Sequence, residues 1–331
     1  VEFVEDADGL VSGTILSQAP ESSPELTYSL SGPDADRFTL GETDGRLTFI
    51  TRPNYDTPSD VDADRVYEIT VTAGNGVSSV TSDLTVQLLN ASPATFTVTN
   101  NLDAGAGSLR QALIDANSKA GADFINFDPA IFNQPQTIAL TSGHLTANGS
   151  VTIFGPGKNL LTIDGVDLNR FLYTKSGTVV VNDLTVTNAT GSRRVRFNNQ
   201  VEHGGAILNA ANLTLNRVTI TNCSAIQTTS EFAVIRGGAI YNEATLTIND
   251  STLSNNKAKS NNDDSVVGYA ISNGGAIFNS GNLTINSSVL TGNQASTSMT
   301  TGGTAQLGND CYGGAIYNLG TTVIDNSVIS S

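Results

Sequence analysis

Four nearly identical words punctuate the last third of the chain: "GGAILN" at 204–209, "GGAIYN" at 237–242, "GGAIFN" at 274–279 and "GGAIYN" at 313–318. They recur at intervals of 33, 37 and 39 residues. A unit of this size cannot bury its apolar face alone, so a fixed period of this kind means stacked repeats. Behind the words, 22-residue units align: "GGAILNAANLTLNRVTITNCSA", "GGAIYNEATLTINDSTLSNNKA" and "GGAIFNSGNLTINSSVLTGNQA". Variable polar stretches of 11 to 17 residues separate them.

Within a unit the apolar residues alternate over runs of three to five, broken by Asn, Asp or Gly. Period 2 means strands, and helical periodicity is missing. Three short strands per unit make one coil of a parallel β-helix, each strand pairing with its equivalent about 4.8 Å away in the next coil. The pattern predicts one interior column of Ile207, Ile240, Ile277 and Ile316, and another of Leu213, Leu246 and Leu283. Two Asn ladders follow: Asn209, Asn242, Asn279 and Asn318, and Asn182, Asn216, Asn249 and Asn286, with Asp325 in the next slot. Asn tolerates turn backbone and satisfies its polar groups. The Gly pair admits a sharp entry into the strand. The variable stretches are expected to project from one edge as loops.

Residues 136–331 read as the β-helix, with less regular coils before the GGAI coils that begin at 204. Ahead of them, 96–135 read as a cap with one amphipathic helix at about 107–119: Leu109, Ala112, Leu113 and Ala116 share a face, and Ser108 is the expected N-cap. Residues 1–95 alternate in short runs such as "LTYSLSG", "GRLTFI" and "VYEITVTAG", which suits a seven-strand sandwich. This segment carries a net −12 of the chain's −15. A nucleic-acid partner needs a basic face and is excluded on charge. No run approaches the roughly 20 apolar residues of a membrane span. Cys223 and Cys311 fit neither a zinc pattern nor a disulfide framework.

"SLRQALIDAN" leading into GGAI coils resembles the right-handed β-helix region of large bacterial surface proteins, cyanobacterial ones included. The GGAI units are also similar to repeats of chlamydial polymorphic membrane proteins. Where that family's partner motif usually starts with Phe, this chain has Ile220, Leu253 or Leu290. "LTYSLSGPDADRFTLGETDGRLTFI" with "VYEITVTAGNG" resembles a cadherin-like repeat. The fold class implied is all-β: a cadherin/Ig-like sandwich followed by a right-handed parallel β-helix with an N-terminal capping helix. The resemblance implies an adhesin-type protein, extracellular or at a cell surface; the ends of the sequence, "VEFVEDADG" and a repeat broken at "DNSVISS", lead one to expect further domains of the chain at both ends.

It also implies Ca²⁺, with Glu5 and Asp56 at matching acidic positions. Asp60, Asp62 and Asp64 add oxygen ligands at alternate loop positions, as calcium prefers. Two of the family's ligands are absent: Asn75 replaces one acid and "LLNASP" the closing Asp-Asn-Asp linker. The other reading is that these acids only solvate the surface.

Three functions remain for the β-helix. A binding module would use Tyr241, Phe278 and Tyr317, which alternation turns outward as a stripe suited to glycan rings, or would hold a cell-surface protein through its loops. A passive spacer would bury that stripe under the loops. A polysaccharide lyase or hydrolase needs paired carboxylates or a calcium cluster with a base. The chain offers only His144, His203, the Asp263–Asp264 pair and the Arg193, Arg194, Arg196 cluster, the last two in polar insertions. Catalytic residues are therefore expected to be absent.

Overall fold

The computed structural model describes residues 2–4, 12–14, 26–43, 45–51, 53, 58–89, 93–119, 121–191, 203–229, 233–262, 270–299 and 309–330. The chain forms two compact units, Val1–Pro93 with Lys119–Gly121, and Ala94–Ser118 with Ala122–Ser331.

In the first unit, Val66–Gly74 and Ser79–Leu89 form a long antiparallel hairpin, flanked by Thr27–Ser31 and, in parallel, by Glu2–Val4. A second sheet joins Ser12–Thr14, Arg46–Phe49 and Phe38–Leu40. Alternate residues of both sheets meet in one core: Phe38, Leu47, Phe49, Tyr67, Ile69, Val86 and Leu88. Phe49 meets Tyr67 edge-on with ring centroids 5.1 Å apart, the geometry that aromatic quadrupoles favour.

The second unit is a parallel β-helix with three faces. The GGAI words supply one: Leu145–Ala147, Leu172–Thr174, Ile207–Asn209, Ile240–Asn242, Ile277–Asn279 and Ile316–Asn318. A second face runs in eight strands from Thr95–Val98 to Thr321–Asp325, and a third in seven from Gln136–Ala139 to Val328–Ser330. Thr95 therefore belongs to the β-helix, and the division falls between Pro93 and Ala94. Strands pair in parallel and in register, which stacks Ile207, Ile240, Ile277 and Ile316 in one column and Leu213, Leu246 and Leu283 in another.

The Gly pair now has two separate causes. Gly204, Gly237, Gly274 and Gly313 lie at φ of +73, +69, +71 and +63, where a Cβ is strained. Their successors have no such φ. A Cβ on Gly237 would also lie 2.1 Å from the carbonyl oxygen of Ile240, and one on Gly238 would lie 2.0 Å from that of Gly275 in the next coil.

Both Asn ladders are continuous. Asn209 Nδ2 donates to Asn242 Oδ1 at 2.6 Å, Asn242 to Asn279 at 2.6 Å, and Asn279 to Asn318 at 2.7 Å. The second ladder runs the other way, from Asn286 to Asn249, Asn216 and Asn182 at 2.9, 2.8 and 2.9 Å. Two corner ladders escaped the sequence reading. Ser251, Ser288 and Ser327 accept from backbone N–H groups of the preceding coil, and so do Asn256 and Asn293. Cys223 fills the slot below Asn256; burial pushes its thiol up to about 12, so it is inert packing. Cys223 and Cys311 are unpaired.

The cap helix spans Leu109–Asn117, and Ser108 Oγ accepts from Gln111 N, as expected of the N-cap. Its face of Leu109, Ala112, Leu113 and Ala116 closes the β-helix core. Asp103 clamps it: it accepts from Arg110 Nη2 at 2.7 Å and, with its other oxygen, from the N–H groups of Thr141 and Ser142 at 3.1 and 2.7 Å. Burial opposes its charge, but hydrogen bonds from Ser142, Arg110 and Thr141 outweigh that and lower its pKa from 3.8 to about 2. A folded pKa below the unfolded one gives stability that is present above 3.8 and lost as pH falls toward 2. Parent melting temperature is therefore expected to fall more steeply than that of Asp103→Asn over this window, and parallel acid profiles would refute the clamp.

The variable stretches are not plain loops. Ser224–Thr229, Lys257–Asn262 and Gln294–Met299 pair in parallel, and the returning Ala233–Arg236, Ala270–Asn273 and Asn309–Tyr312 form a second parallel sheet. The layers pack through Ala225, Ala258 and Ile235 and a Ser260–Ser272 hydroxyl contact of 2.9 Å. Each of the coils that begin at 204, 237 and 274 thus sends out a two-layer fin. Small residues between the layers let the sheets approach closely, and pairing between coils satisfies backbone groups that a polar loop would leave to water.

Candidate functional site

Two places among the described residues hold the side chains that the sequence pointed to as a site. The first is the loop that enters Val66–Gly74 in the sandwich. Ala63 and Arg65 adopt φ of +61 and +73, which curls the loop so that Asp60, Asp62 and Asp64 bring ligand atoms within 4.8 Å of one another. Asp60 is only 6% exposed. Its Oδ2 accepts from Arg65 N at 3.1 Å, while its Oδ1 is buried with no partner. Asp64 Oδ1 accepts from Val66 N, and Asp62 is exposed. Buried Asp34, which the sequence reading passed over, pins the loop by accepting from Val61 N and Glu68 N at 2.7 and 2.8 Å. An orphaned buried carboxylate oxygen beside two further carboxylates fits a hard divalent cation. Asn75 uses its oxygen on Val77 N and Ser78 N and so closes its own turn. Glu5 and Asp56 lie outside the described residues.

The second place is the angle between the GGAI face and the returning fin sheet. The outward residues of the GGAI face form a column: Tyr173, Leu208, Tyr241, Phe278 and Tyr317. Tyr173 extends the expected stripe by one member. Tyr241 stacks on Phe278 at 5.1 Å, and Phe278 on Tyr317 at 5.6 Å. The stripe is not bare, because Phe278 is 2% exposed while Tyr241 and Tyr317 are partly buried.

What covers it is the residue before each Gly pair: His203, Arg236, Asn273 and Tyr312. Arg236, Asn273 and Tyr312 are direct pairing partners in the fin sheet. The φ-positive Gly turns this column toward the aromatics. His203 lies 4.8 Å from Tyr241, Tyr312 lies 5.8 Å from Tyr317, and the Arg236 guanidinium sits 5.2 Å over Phe278, a cation–π arrangement.

Electrostatics distinguish this groove. Burial, then the charges of Arg236 and Arg170, lower the His203 pKa to about 3, so its ring is neutral. Arg236 Nη1 lies 3.4 Å from His203 Nε2; arginine only donates, so the ring proton sits on Nδ1. Arg170 holds the turn by donating to the carbonyls of Gly204 and His203 at 2.8 and 2.7 Å. His203 Nδ1, Arg236 Nε and Asn273 Oδ1 are all buried without a partner. Three orphaned polar atoms at successive positions of one column depart from the usual rule of satisfied buried groups. Alternation pointed to the aromatics, but the covering column appears only once Gly pairs are aligned and the residue before each is read.

His144 adjoins the end of the aromatic column, beside Tyr173, with ring centroids 6.3 Å apart. Asp263, Asp264, Arg193, Arg194 and Arg196 lie outside the described residues. The Asn ladders, with Asn209, Asn242 and Asn279 wholly buried, bond to one another and to backbone.

No protein family model and no curated protein matches the chain. Among solved structures, human Protocadherin-24 EC1-2 is matched in two crystal forms at 18% and 16% identity, each with a TM-score of 0.24. The matches cover 30% and 31% of this chain and 49% and 50% of those. Mouse Protocadherin-24 EC1-3 is matched at 18% identity and a TM-score of 0.19, over 30% of each chain. The chain thus spans half or less of the solved chains it matches. By its own strands it is all-β, an antiparallel sandwich followed by a parallel β-helix. No helix among the described residues is long and apolar enough to cross a membrane.

Proposed function

We propose that this chain is a binding segment of an extracellular, adhesion-type surface protein, a reading supported by the resemblance of its GGAI units to repeats of bacterial β-helix proteins. The sandwich holds calcium, and the β-helix is a rigid rack that presents a glycan-binding groove at the foot of its fin. The observation that carries this reading is the aromatic column lined by orphaned polar atoms. The rings stack on one another, so a sugar would meet their edges, with the unsatisfied donors and acceptors beside them as hydroxyl partners. The test is a glycan array with the parent chain and Tyr241→Ala. Parent binding to a set of glycans, lost in the variant, is expected. Capture of proteins but no glycan would move the partner to a cell-surface protein, and no capture at all would leave a spacer.

No catalytic role is assigned to the chain. Unsaturated or reducing ends released from pectin, alginate or chondroitin by the purified chain, and lost on changing Asp263 and Asp264, would make it an enzyme instead.

Calcium is assigned to Asp60, Asp62 and Asp64, with Glu5 and Asp56 as the further ligands implied by the cadherin-like resemblance. Ligand at a hundredfold excess over its Kd stabilises by about 2.7 kcal/mol. The sandwich of the full chain is therefore expected to melt higher in calcium than in chelator, and Asp60→Ala to abolish the difference. Identical curves for the parent in both buffers would refute the site.

A further inference from the structure

We infer that the third face of the β-helix is a separate binding surface whose partner is crystalline water, the surface of ice. This surface lies on a different face from the glycan groove and stands without it. Three observations carry the assignment.

The first is a repeat in two directions. Each strand of this face buries its middle residue, such as Ile220 or Leu253, and turns the residues on either side outward. In-register pairing sets those outward residues in two columns. Thr137, Thr162, Thr185, Thr219 and Thr252 follow one another in the first. Thr187, Thr221, Ser254, Thr291 and Ser330 follow one another in the second. Neighbours within a column stand about 4.8 Å apart, and the columns, two residues apart along a strand, about 6.6 Å. Both repeats are close to those of oxygen atoms on the faces of hexagonal ice. A folded protein or a branched glycan has no use for identical groups at fixed repeats, whereas a crystal does.

The second is chemistry held still. Threonine presents a hydroxyl that both donates and accepts, beside a methyl group, on a stiff χ1. Ser254 Oγ donates to Thr221 Oγ1 at 2.9 Å and Ser330 Oγ to Thr291 Oγ1 at 3.0 Å. These contacts align hydroxyls along the second column and leave each of them lone pairs for water. Thr185 is tied by donating to Lys158 O at 2.8 Å. Val289 comes next in the first column, keeps the shape of threonine with a methyl for the hydroxyl, and is 38% exposed. Side-chain ladders hold a sheet flat, and two Asn ladders run along this β-helix. Water on such an array is ordered in advance, so less entropy is lost when ice joins it.

The third is the absence of charge. The chain carries −15, yet among the described residues the two columns hold one charged side chain, Asp164, between Ala139 and Thr187. Its oxygens already accept from Val166 N at 2.7 Å and Asn188 Nδ2 at 3.2 Å. The neighbouring charges, Asp183, Arg217 and Asp250, stand two residues ahead of Thr185, Thr219 and Thr252, and Arg217 is taken up by Asp183 at 2.6 and 2.7 Å. Stripping a charged group of its own water is costly, so a neutral crystal is complementary to a neutral face. Strand propensity favours threonine anywhere on a sheet. It does not explain the difference between faces, because the outward column of the GGAI face holds Tyr173, Leu208, Tyr241 and Phe278.

The experiment grows ice slowly from a dilute solution of the dye-labelled full chain and compares the protein held in the ice with that left in the liquid. Crystal shape and the gap between melting and freezing points are read beside it. The parent is expected to concentrate in the ice, to shape the crystals and to open that gap. Thr219→Tyr, in the middle of the first column, should abolish all three while the protein melts like the parent, because the ring lifts the crystal off both columns. Thr221→Tyr does the same from the second column and serves if the first variant fails to fold. Thr247→Tyr is the control: it changes an outward threonine of the adjoining face and should behave as the parent. None of the three should alter the glycan array, so the two readings fail separately. A parent excluded from ice, with no gap between melting and freezing points, would overturn the assignment. So would equal loss in Thr219→Tyr and Thr247→Tyr, which would take the site off the array. Binding to microcrystalline cellulose or chitin but not to ice, lost in Thr219→Tyr, would also overturn it and make the partner a crystalline polysaccharide.

Discussion

Gly238→Ala is expected to loosen the β-helix by forcing neighbouring coils apart. The new Cβ would lie 2.0 Å from Gly275 O, 2.4 Å from the Lys257 carbonyl carbon and 2.7 Å from Ala258 N. All three are backbone atoms, from the next coil and from the adjoining fin strand. No rotamer relieves such a contact, so two coils must part. Overpacking of a core costs about 1–3 kcal/mol, and the upper end applies where only backbone can yield. Solenoid units interact with nearest neighbours, so amide exchange should quicken first over residues 204–290, with a smaller change at the cap. Gly149→Ala is the control: nothing lies within 4 Å of its Cβ position, and the change should be neutral or slightly stabilising. If Gly238→Ala and Gly149→Ala melt alike, the second Gly is not a spacer between coils, and its recurrence needs another cause.

This contact shows where the sequence was legible. Periodicity exposes what repeats along the chain. Alternation therefore placed Ile207, Ile240 and Ile277 inward, and stacking them needed only the equal length of the units. The helix over Leu109–Asn117 was visible because its whole apolar face lies within nine residues. The fin was not. Ser224–Thr229 and Lys257–Asn262 are strands because they pair with each other across 33 residues, and unequal insert lengths hide that register. Taken singly, "KAKSNN" has the polarity of a loop. The groove was half legible for the same reason. Tyr241, Phe278 and Tyr317 share a word, whereas His203, Arg236, Asn273 and Tyr312 share only a place before Gly, and four unlike side chains form no pattern until the turn aims them at one row of rings. In the sandwich, Asp60, Asp62 and Asp64 stood out by spacing, but Asp34 holds that loop from 26 residues upstream of Asp60, a distance no local motif spans.

Asn242→Leu tests the opposite failure, a group removed from a closed network. Asn242 is fully buried, and leucine has the same branching but bulkier methyl groups, so overpacking adds to the polar term. Its Oδ1 accepts from Asn209 Nδ2, and its Nδ2 faces Asn279 Oδ1 at 2.6 Å and the carbonyls of Asn282 and Ala244 at 3.1 and 3.2 Å. Leucine can serve none of these. Asn209 Nδ2 keeps Thr245 O at 2.9 Å, so the donor below is partly rescued. Asn279 Oδ1 above loses its ladder donor, and the two turn carbonyls lose a side-chain partner in a site closed to water. Each unsatisfied buried group costs about 1–3 kcal/mol, and partial rescue places the total near 3 kcal/mol. The damage should centre on the coils of Asn209, Asn242 and Asn279. Lys259→Ala, on the polar fin, should leave the melting temperature within a degree or so of the parent. Asn242→Asp sharpens the test, because it keeps the acceptor and removes the donors. It should fall between parent and leucine near neutral pH and recover as acid protonates the new carboxyl to a donor. A leucine variant that melts like the parent yet loses glycan binding would make the ladder a recognition element, and would move the site from the fin groove into the turn.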